Sequence, residues 1–212
     1  MISMMRIKSL SAAPDRAGRY RVAFEGDSVM RLYRQTVENF GLYPGMELDD
    51  GKFELLQQEA GQMSAKMRAV RIIAASSVSK RDLEHRLIRK GEDPQQAKAA
   101  VDWMSEMSLL DDRKTAQQVV ARCIAKGYGL ARAKQALYEK RIPKAYWEEA
   151  LQDYPDQIDK IMEYLESHLG EHPDDKMVKK ALDALIRRGH SYGNIRRAMQ
   201  EMAMDPDEFP EG

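Results

Sequence analysis

The densest chemistry in this chain is cationic. Lys176, Lys179, Lys180, Arg187 and Arg188 cluster along one stretch with helical spacing, and Arg196 and Arg197 follow. Ammonium and guanidinium groups along a helical ridge can neutralise phosphates and track a polyanion. A second basic block lies upstream: Arg113, Lys114, Arg122, Lys126, Arg132, Lys134, Lys140, Arg141 and Lys144. An ordinary solvated helix face carries the same residue types, so charge alone leaves both readings open.

Other candidate chemistries are weaker. His168 and His172 stand four apart near Asp174 and Asp175, a spacing that can hold a metal on one helix face, but Gly170 and Pro173 interrupt that helix. Gly127-Tyr128-Gly129 precedes a helical stretch and could present amide groups to an anion; it reads better as a helix stop followed by a turn. Cys123 falls on an apolar helical stripe and reads as a small buried hydrophobe. No Gly-x-x-x-x-Gly-Lys-Ser/Thr loop is present, and no nucleophile–base pair stands out. The expectation is a protein that is not an enzyme and needs no cofactor.

The elements that must position these residues repeat. Leu87, Leu137 and Leu185 set the register. Four residues on stand Gly91, Arg141 and Gly189; ten on, Ala97, Trp147 and Ile195; thirteen on, Ala100, Ala150 and Ala198; fourteen on, Val101, Leu151 and Met199; seventeen on, Met104, Tyr154 and Met202. The last four spacings trace one apolar stripe of a helix. An earlier apolar helix precedes each leucine, through Val70 and Ile73, through Val119 and Cys123, and through Ile158, Ile161 and Leu165. Local signals mark the ends. Ser79 with Asp82 resembles a capping box, Asp93-Pro94 pairs an N-cap with a first-turn proline, and Ser191 holds the register of Asp93. Gly91 and Gly189 suit the left-handed residue that stops a helix.

The fold class expected is mainly α: three tandem three-helix repeats stacked as an elongated crescent, with a small amino-terminal α/β extension. The extension spans residues 1–62, the repeats 63–112, 113–154 and 155–204, and an acidic tail 205–212. In the extension Tyr20, Val22 and Phe24 alternate with Arg19, Arg21 and Ala23, a strand pattern. A turn at residues 25–28 leads to a returning strand, Val29 to Tyr33, and a short helix towards Phe40. Tyr43-Pro44-Gly45 marks a turn.

Composition bounds the rest. In 212 residues, 34 basic side chains balance 34 acidic ones, 32% are charged and 43% hydrophobic. This excludes a uniformly basic protein and a disordered chain. The balance hides a polarity: residues 113–154 hold nine basic against four acidic side chains (+5), and residues 155–212 hold eight against thirteen (−5). One cysteine favours a reducing compartment, and no apolar run reaches the ~18 residues of a membrane span. Arg6 and Lys8 are followed by no apolar stretch, so a secretory signal is not expected. The chain reads as cytoplasmic.

Three segments resemble the RecX family, modulators of the RecA recombinase: Leu109-Leu110-Asp111-Asp112 followed by Ala116, Gly127 to Ile142, and Ala184 to Ile195. The resemblance covers about residues 63–204, and Thr36 to Leu48 is similar to an extension of some members. Two departures stand out. Arg141 occupies a position where glycine is usual, and Ser77-Val78-Ser79 replaces a frequent Arg-x-Arg-Ser. The resemblance implies a non-enzymatic, monomeric regulator that binds the RecA–single-stranded DNA filament and modulates, in the direction of inhibition, its growth, ATP hydrolysis and strand exchange in recombination, DNA repair and the SOS response. The residues expected to touch partner or nucleic acid are Arg122, Lys126, Arg132, Lys134, Lys179, Lys180, Arg187, Arg188, Arg196 and Arg197. Two alternatives remain open at this level: a direct DNA-binding protein using helix-turn-helix-like units, and a scaffold solenoid without nucleic-acid contact.

Overall fold

In the computed structural model, which describes residues 4–170 and 173–202, the amino-terminal alternation becomes a four-stranded antiparallel sheet. Its strands are β1 (Met4–Leu10), β2 (Arg19–Phe24), β3 (Val29–Tyr33) and β4 (Glu47–Asp49), in the order β3-β2-β1-β4. β2 and β3 are the strands the alternation predicts; β1 and β4 add to it. After β3 comes the short helix α1 (Arg34–Asn39). Ile7, Val22, Phe24, Leu32, Leu42 and Leu48 form the core, with Phe53 set edge-on to Phe24 at 5.3 Å.

α2 (Asp50–Ala75) begins where the Asp49 carboxylate accepts the Lys52 amide at 2.8 Å. Its Leu56 completes the sheet core, while Ala65 and Ala69, fully buried further along, belong to the face packed along α4 (Pro94–Glu106). One continuous helix therefore serves two cores, and position 62, expected as the end of the extension, falls inside it.

Tertiary contacts divide the chain into two units: residues up to Ser76 with Leu83–Leu110, and Ser77–Asp82 with the chain from Asp111 onward. The first holds the sheet, α1, α2, α4 and most of α3 (Lys80–Arg89). Within it the buried Glu92 carboxylate accepts from Arg68 Nε at 2.6 Å and from Ser64 Oγ at 3.0 Å, so its charge is compensated.

The second unit contains α5 (Asp112–Ala125), α6 (Leu130–Glu139), a 3₁₀ turn (Lys144–Tyr146) running into α7 (Trp147–Leu151), α8 (Ile158–His168), α9 (Asp175–Arg187) and α10 (Tyr192–Glu201). Residues 77–82 are stitched into it. Ser79 Oγ donates to the Lys140 carbonyl at 2.6 Å and accepts the Asp82 amide at 3.1 Å, Lys80 N–H donates to the Asp112 carboxylate at 2.8 Å, and Ser77 Oγ donates to Gln118 at 2.8 Å. The two serines that depart from the family pattern thus make internal hydrogen bonds.

The repeat register is visible in backbone geometry. Leu87, Leu137 and Leu185 are fully buried. Four residues on, Gly91, Arg141 and Gly189 have φ of +91°, +53° and +86°. Their amides donate to the carbonyls of Ile88, Tyr138 and Ile186, and the next amides donate to the carbonyls of Leu87, Leu137 and Leu185. All three helices end in one left-handed stop. Arg141 adopts this conformation without glycine's freedom, at a cost of about 1–2 kcal/mol. Arg141→Gly should therefore stabilise the protein by about 0.5–1 kcal/mol after the extra freedom of the unfolded chain is deducted. A higher urea midpoint with an unchanged slope is the expected observation.

The predicted N-caps form: Asp93 accepts from the amides of Gln95 and Gln96, and Ser191 from that of Asn194. The apolar stripe is buried on α4 and α10. In the second repeat Trp147, Ala150, Leu151 and Tyr154 are half-buried, because α7 is five residues long and enters from a 3₁₀ turn after Pro143. Trp147 packs against the Val119–Leu137 cluster and donates its indole N–H to the Ile142 carbonyl at 3.0 Å. No described helix is long and apolar enough to cross a membrane. The acidic tail, 205–212, lies outside the described residues.

Candidate nucleic-acid interface

α9 turns Val178, Ala181 and Leu185 into a core shared with Ile161 and Leu165 of α8 and Ile195 and Ala198 of α10. This leaves its lysines and arginines in solvent. At about 100° per residue, Lys180, Ala184 and Arg187 share one side. On neighbouring α8, Tyr164 and His168 stand one turn apart and stack, with ring centroids 3.9 Å apart and planes 19° apart. His168 Nδ1 lies 2.8 Å from the Tyr164 carbonyl oxygen and 2.7 Å from Ser167 Oγ, which fixes the imidazole. The Arg188 guanidinium sits 4.4 Å from the Tyr164 ring centroid, within the range of a cation–π contact. Lys180, Arg187, Tyr164, His168 and Met177 enclose a groove of about 380 Å³. Cations beside π-faces are the combination that holds phosphates and stacks unpaired bases.

The other expected contact residues are distributed differently. Lys179 shares the far exposed side of α9 with Asp183 and Ile186. Arg197 is held by Asp156 at 2.9 Å and Glu201 at 3.0 Å, while Arg196 is exposed on the same helix. Arg132 pairs with Glu139 at 3.0 Å, Arg122 donates to Ser77 Oγ at 3.3 Å, and Lys126 stands 6.0 Å from the centroid of the Tyr128 ring. Lys134 is exposed at the edge of a separate groove with Tyr154, Asp156 and Ser191. Three of the ten, Lys180, Arg187 and Arg188, converge with the aromatic pair. Tyr164 and His168 were not expected there; a Tyr-x-x-x-His spacing on the helix before the ridge is the signal that points to them. Among the described residues no three His, Cys, Asp or Glu side chains gather as a metal site requires, and His172 lies outside the described residues.

A backbone junction holds the ridge. The Gly129 amide donates to the Arg188 carbonyl at 3.0 Å and the Ala131 amide to the Gly189 carbonyl at 3.2 Å. Two of the amide donors at the α6 N-terminus are thus taken by the chain itself. A Cβ on Gly129 would overlap the Gly189 carbonyl, and one on Gly189 would overlap the Arg132 backbone. Gly127 is the helix stop expected, with φ +65°, whereas Gly129 serves this close approach.

His190 follows directly and is buried, with Nδ1 unpartnered. Burial pushes its imidazole below the usual 6.5, a backbone hydrogen bond with Gly127 opposes that shift, and the nearby Arg188 charge adds to it. The unfolded chain therefore takes up the proton first. Stability contributed by the neutral ring is complete above about pH 6.5 and is lost as pH falls from there towards the depressed folded value. Urea unfolding of wild type and His190→Gln at about pH 7.5 and pH 5.5 should show a larger acid loss in wild type; equal losses would remove His190 from this role. Beside it, burial raises the Tyr154 phenol to about 12, and its hydroxyl donates to the Tyr128 carbonyl at 2.6 Å.

Three-helix units with left-handed stops, bearing a cationic and aromatic groove, define a helical-repeat protein with a basic surface groove. The family model described as RecX, second three-helix domain, matches residues 111–151. Regulatory protein RecX of Streptococcus gordonii is 24% identical over 193 residues, covering 89% of this chain and 75% of the relative. The RecX of Vibrio parahaemolyticus is 25% identical over 146 residues, covering 68% of this chain and 94% of the relative. Among solved structures, a crystal structure of regulatory protein RecX matches with a TM-score of 0.61 at 18% identity, covering 93% of this chain and 99% of the other. RecX from Lactobacillus salivarius matches at 0.55 and 19%, covering 68% and 97%. The chain is thus similar to RecX proteins over most of its length, and its fold is theirs.

Proposed function

We propose that this protein is a non-enzymatic, cytoplasmic and monomeric regulator that binds the RecA–single-stranded DNA filament and restrains its growth, ATP hydrolysis and strand exchange. The observation that carries the reading is the convergence of Lys180, Arg187 and Arg188 with the Tyr164–His168 stack in a chain similar to RecX proteins. Cations pair with phosphates while the rings accept unpaired bases, a chemistry suited to single strands rather than to the closed stack of a duplex. The relatives' name, regulatory protein, agrees with a non-catalytic role.

The test is the ATPase of RecA filaments on single-stranded DNA. Adding this protein below equimolar amounts should lower hydrolysis, and no change at equimolar protein would refute the reading. Sequence-preferring binding to duplex without RecA, seen by gel shift, would instead mark a direct DNA-binding protein.

A further inference from the structure

α1 and α2 cover one face of the amino-terminal sheet, where Val22, Phe24 and Leu32 are buried. The alternate side chains of β2 and β3 stand on the other face. There Arg21 is directly opposite Arg31, and one rung on Arg19 is opposite Tyr33. Asp15 is the carboxylate of this corner. It is committed to Arg19, accepting from Nε at 3.1 Å and Nη2 at 2.9 Å, and lies 4.0 Å from Arg31 Nη1. Arg71 reaches in from α2, donating to the Tyr33 hydroxyl at 3.1 Å and the Ala17 carbonyl at 2.9 Å. Arg21 is exposed, and among the described residues no hydrogen bond or ion pair occupies its guanidinium. Four guanidinium groups, those of Arg19, Arg21, Arg31 and Arg71, thus share the corner with one carboxylate.

The arrangement is costly and specific in kind. Like charges directly opposite on neighbouring strands destabilise a sheet. Elsewhere on this sheet the ordinary solution appears, with Arg6 placed 3.9 Å from Glu25. Every cation from position 15 to position 34 is an arginine. Its planar fork matches the oxygens of a phosphate, where a lysine offers a point charge. The neutral sum of the extension hides this polarity: residues 1–34 hold seven basic against three acidic side chains, and residues 35–66 two against six.

We propose that this corner binds the phosphate backbone of a nucleic-acid strand through Arg21 and Arg31, with Arg71 alongside. The inference goes beyond the filament reading and is independent of it, since the corner belongs to the first unit and needs no recombinase. Tyr20 and Tyr33 are half-buried, with hydroxyls held by Arg34 and Arg71, so neither is an open platform for a base. The contact is therefore to phosphates and carries no sequence preference. An acidic protein segment would satisfy the charges. However, Val29, the exposed apolar side chain of the adjacent rung, is of a type that seldom anchors a protein interface.

The test is fluorescence anisotropy of the full chain, without recombinase, on fluorescein-labelled oligothymidylate and on a labelled duplex of equal length. Both are titrated in an Arg187→Gln, Arg188→Gln background, which weakens the α8–α9 groove. Adding Arg21→Gln with Arg31→Gln should weaken binding about tenfold. The salt slope should fall by about 0.7 for each lost contact on the single strand, or about 0.9 on the duplex. The urea midpoint should hold or rise, because the opposed pair is gone, and misfolding then cannot explain the loss. Arg6→Gln with Lys8→Gln removes the same charge from β1 and should change affinity by about twofold or less. A loss confined to one oligonucleotide supports the proposal and names the strand form that the corner takes. Unchanged affinity for both, or an equal loss in the β1 variant, would overturn it. Binding of labelled polyglutamate through the same arginines, with neither oligonucleotide bound, would overturn it in favour of an acidic protein partner. Because the assay contains no recombinase, its outcome stands whether or not the wild type lowers filament ATP hydrolysis.

Discussion

Replacing Gly189 with alanine should cost the second unit about 3 kcal/mol or more. Two terms add. At φ +86° an L side chain carries about 1–2 kcal/mol of backbone strain. The new Cβ would also overlap the Arg132 backbone nitrogen, with Arg132 Cβ and Cα only 2.6 and 2.9 Å away. Overpacking of this kind costs about 1–3 kcal/mol when neighbours can shift. Here they are held, because the Ala131 amide donates to the Gly189 carbonyl and the Gly189 amide to that of Ile186. Gly129→Ala attacks the same contact from the opposite side, so the double variant should cost less than the sum of the singles. Gly170→Ala is the control: its Cβ meets nothing within 4 Å, and a change within about 0.5 kcal/mol is expected. Urea midpoints for Gly189→Ala and Gly170→Ala that agree would show that the junction is not close-packed.

That junction also marks where sequence reading stops. Helix stops and caps are local chemistry, so Gly91, Gly189, Asp93 and Ser191 announce themselves within a few residues. The stripe from Ile195 to Met199 does the same through helical periodicity. The Gly129–Gly189 approach joins backbones sixty positions apart, and no spacing rule distinguishes it from the ordinary stop that Gly127 provides. β1 escapes for a related reason. Ile7 is its only buried residue, its register shifts between Ile7 and Ser9, and its partners β2 and β4 lie further along the chain. In the candidate site the charges are legible and their arrangement is not. Lys179 and Lys180 look equivalent in sequence, yet one residue of helical rotation sends them to different sides. Arg197 and Arg132 look available but are held by Asp156 and Glu139. The Tyr164–His168 spacing is legible as one turn of a helix, but that the pair faces the cations is settled only when α8 lies beside α9.

Reversing both arginines at the end of α9, Arg187→Glu with Arg188→Glu, should weaken binding to the RecA–single-stranded DNA filament by about two orders of magnitude and abolish the effect on ATP hydrolysis. The exchange converts two positive charges into two negative ones beside Lys180 and removes the cation over Tyr164. Phosphate pairing is abolished and repulsion is added in its place. Part of any weakening could come from the helix, since acidic groups at a helix C-terminus cost about 0.3–1 kcal/mol each. Arg187→Gln with Arg188→Gln separates the two: it removes the charges without opposing the helix dipole. It should retain the wild-type fold, bind more weakly than wild type, and show a salt slope lower by about 0.7 for each phosphate no longer neutralised. Lys179→Glu, on the other side of α9, changes charge without entering the groove and should weaken binding much less. Filament binding that survived the double reversal would remove the groove from the interface, and a Lys179→Glu defect as large as the double reversal would mean that charge alone, rather than its convergence on Tyr164 and His168, governs recognition.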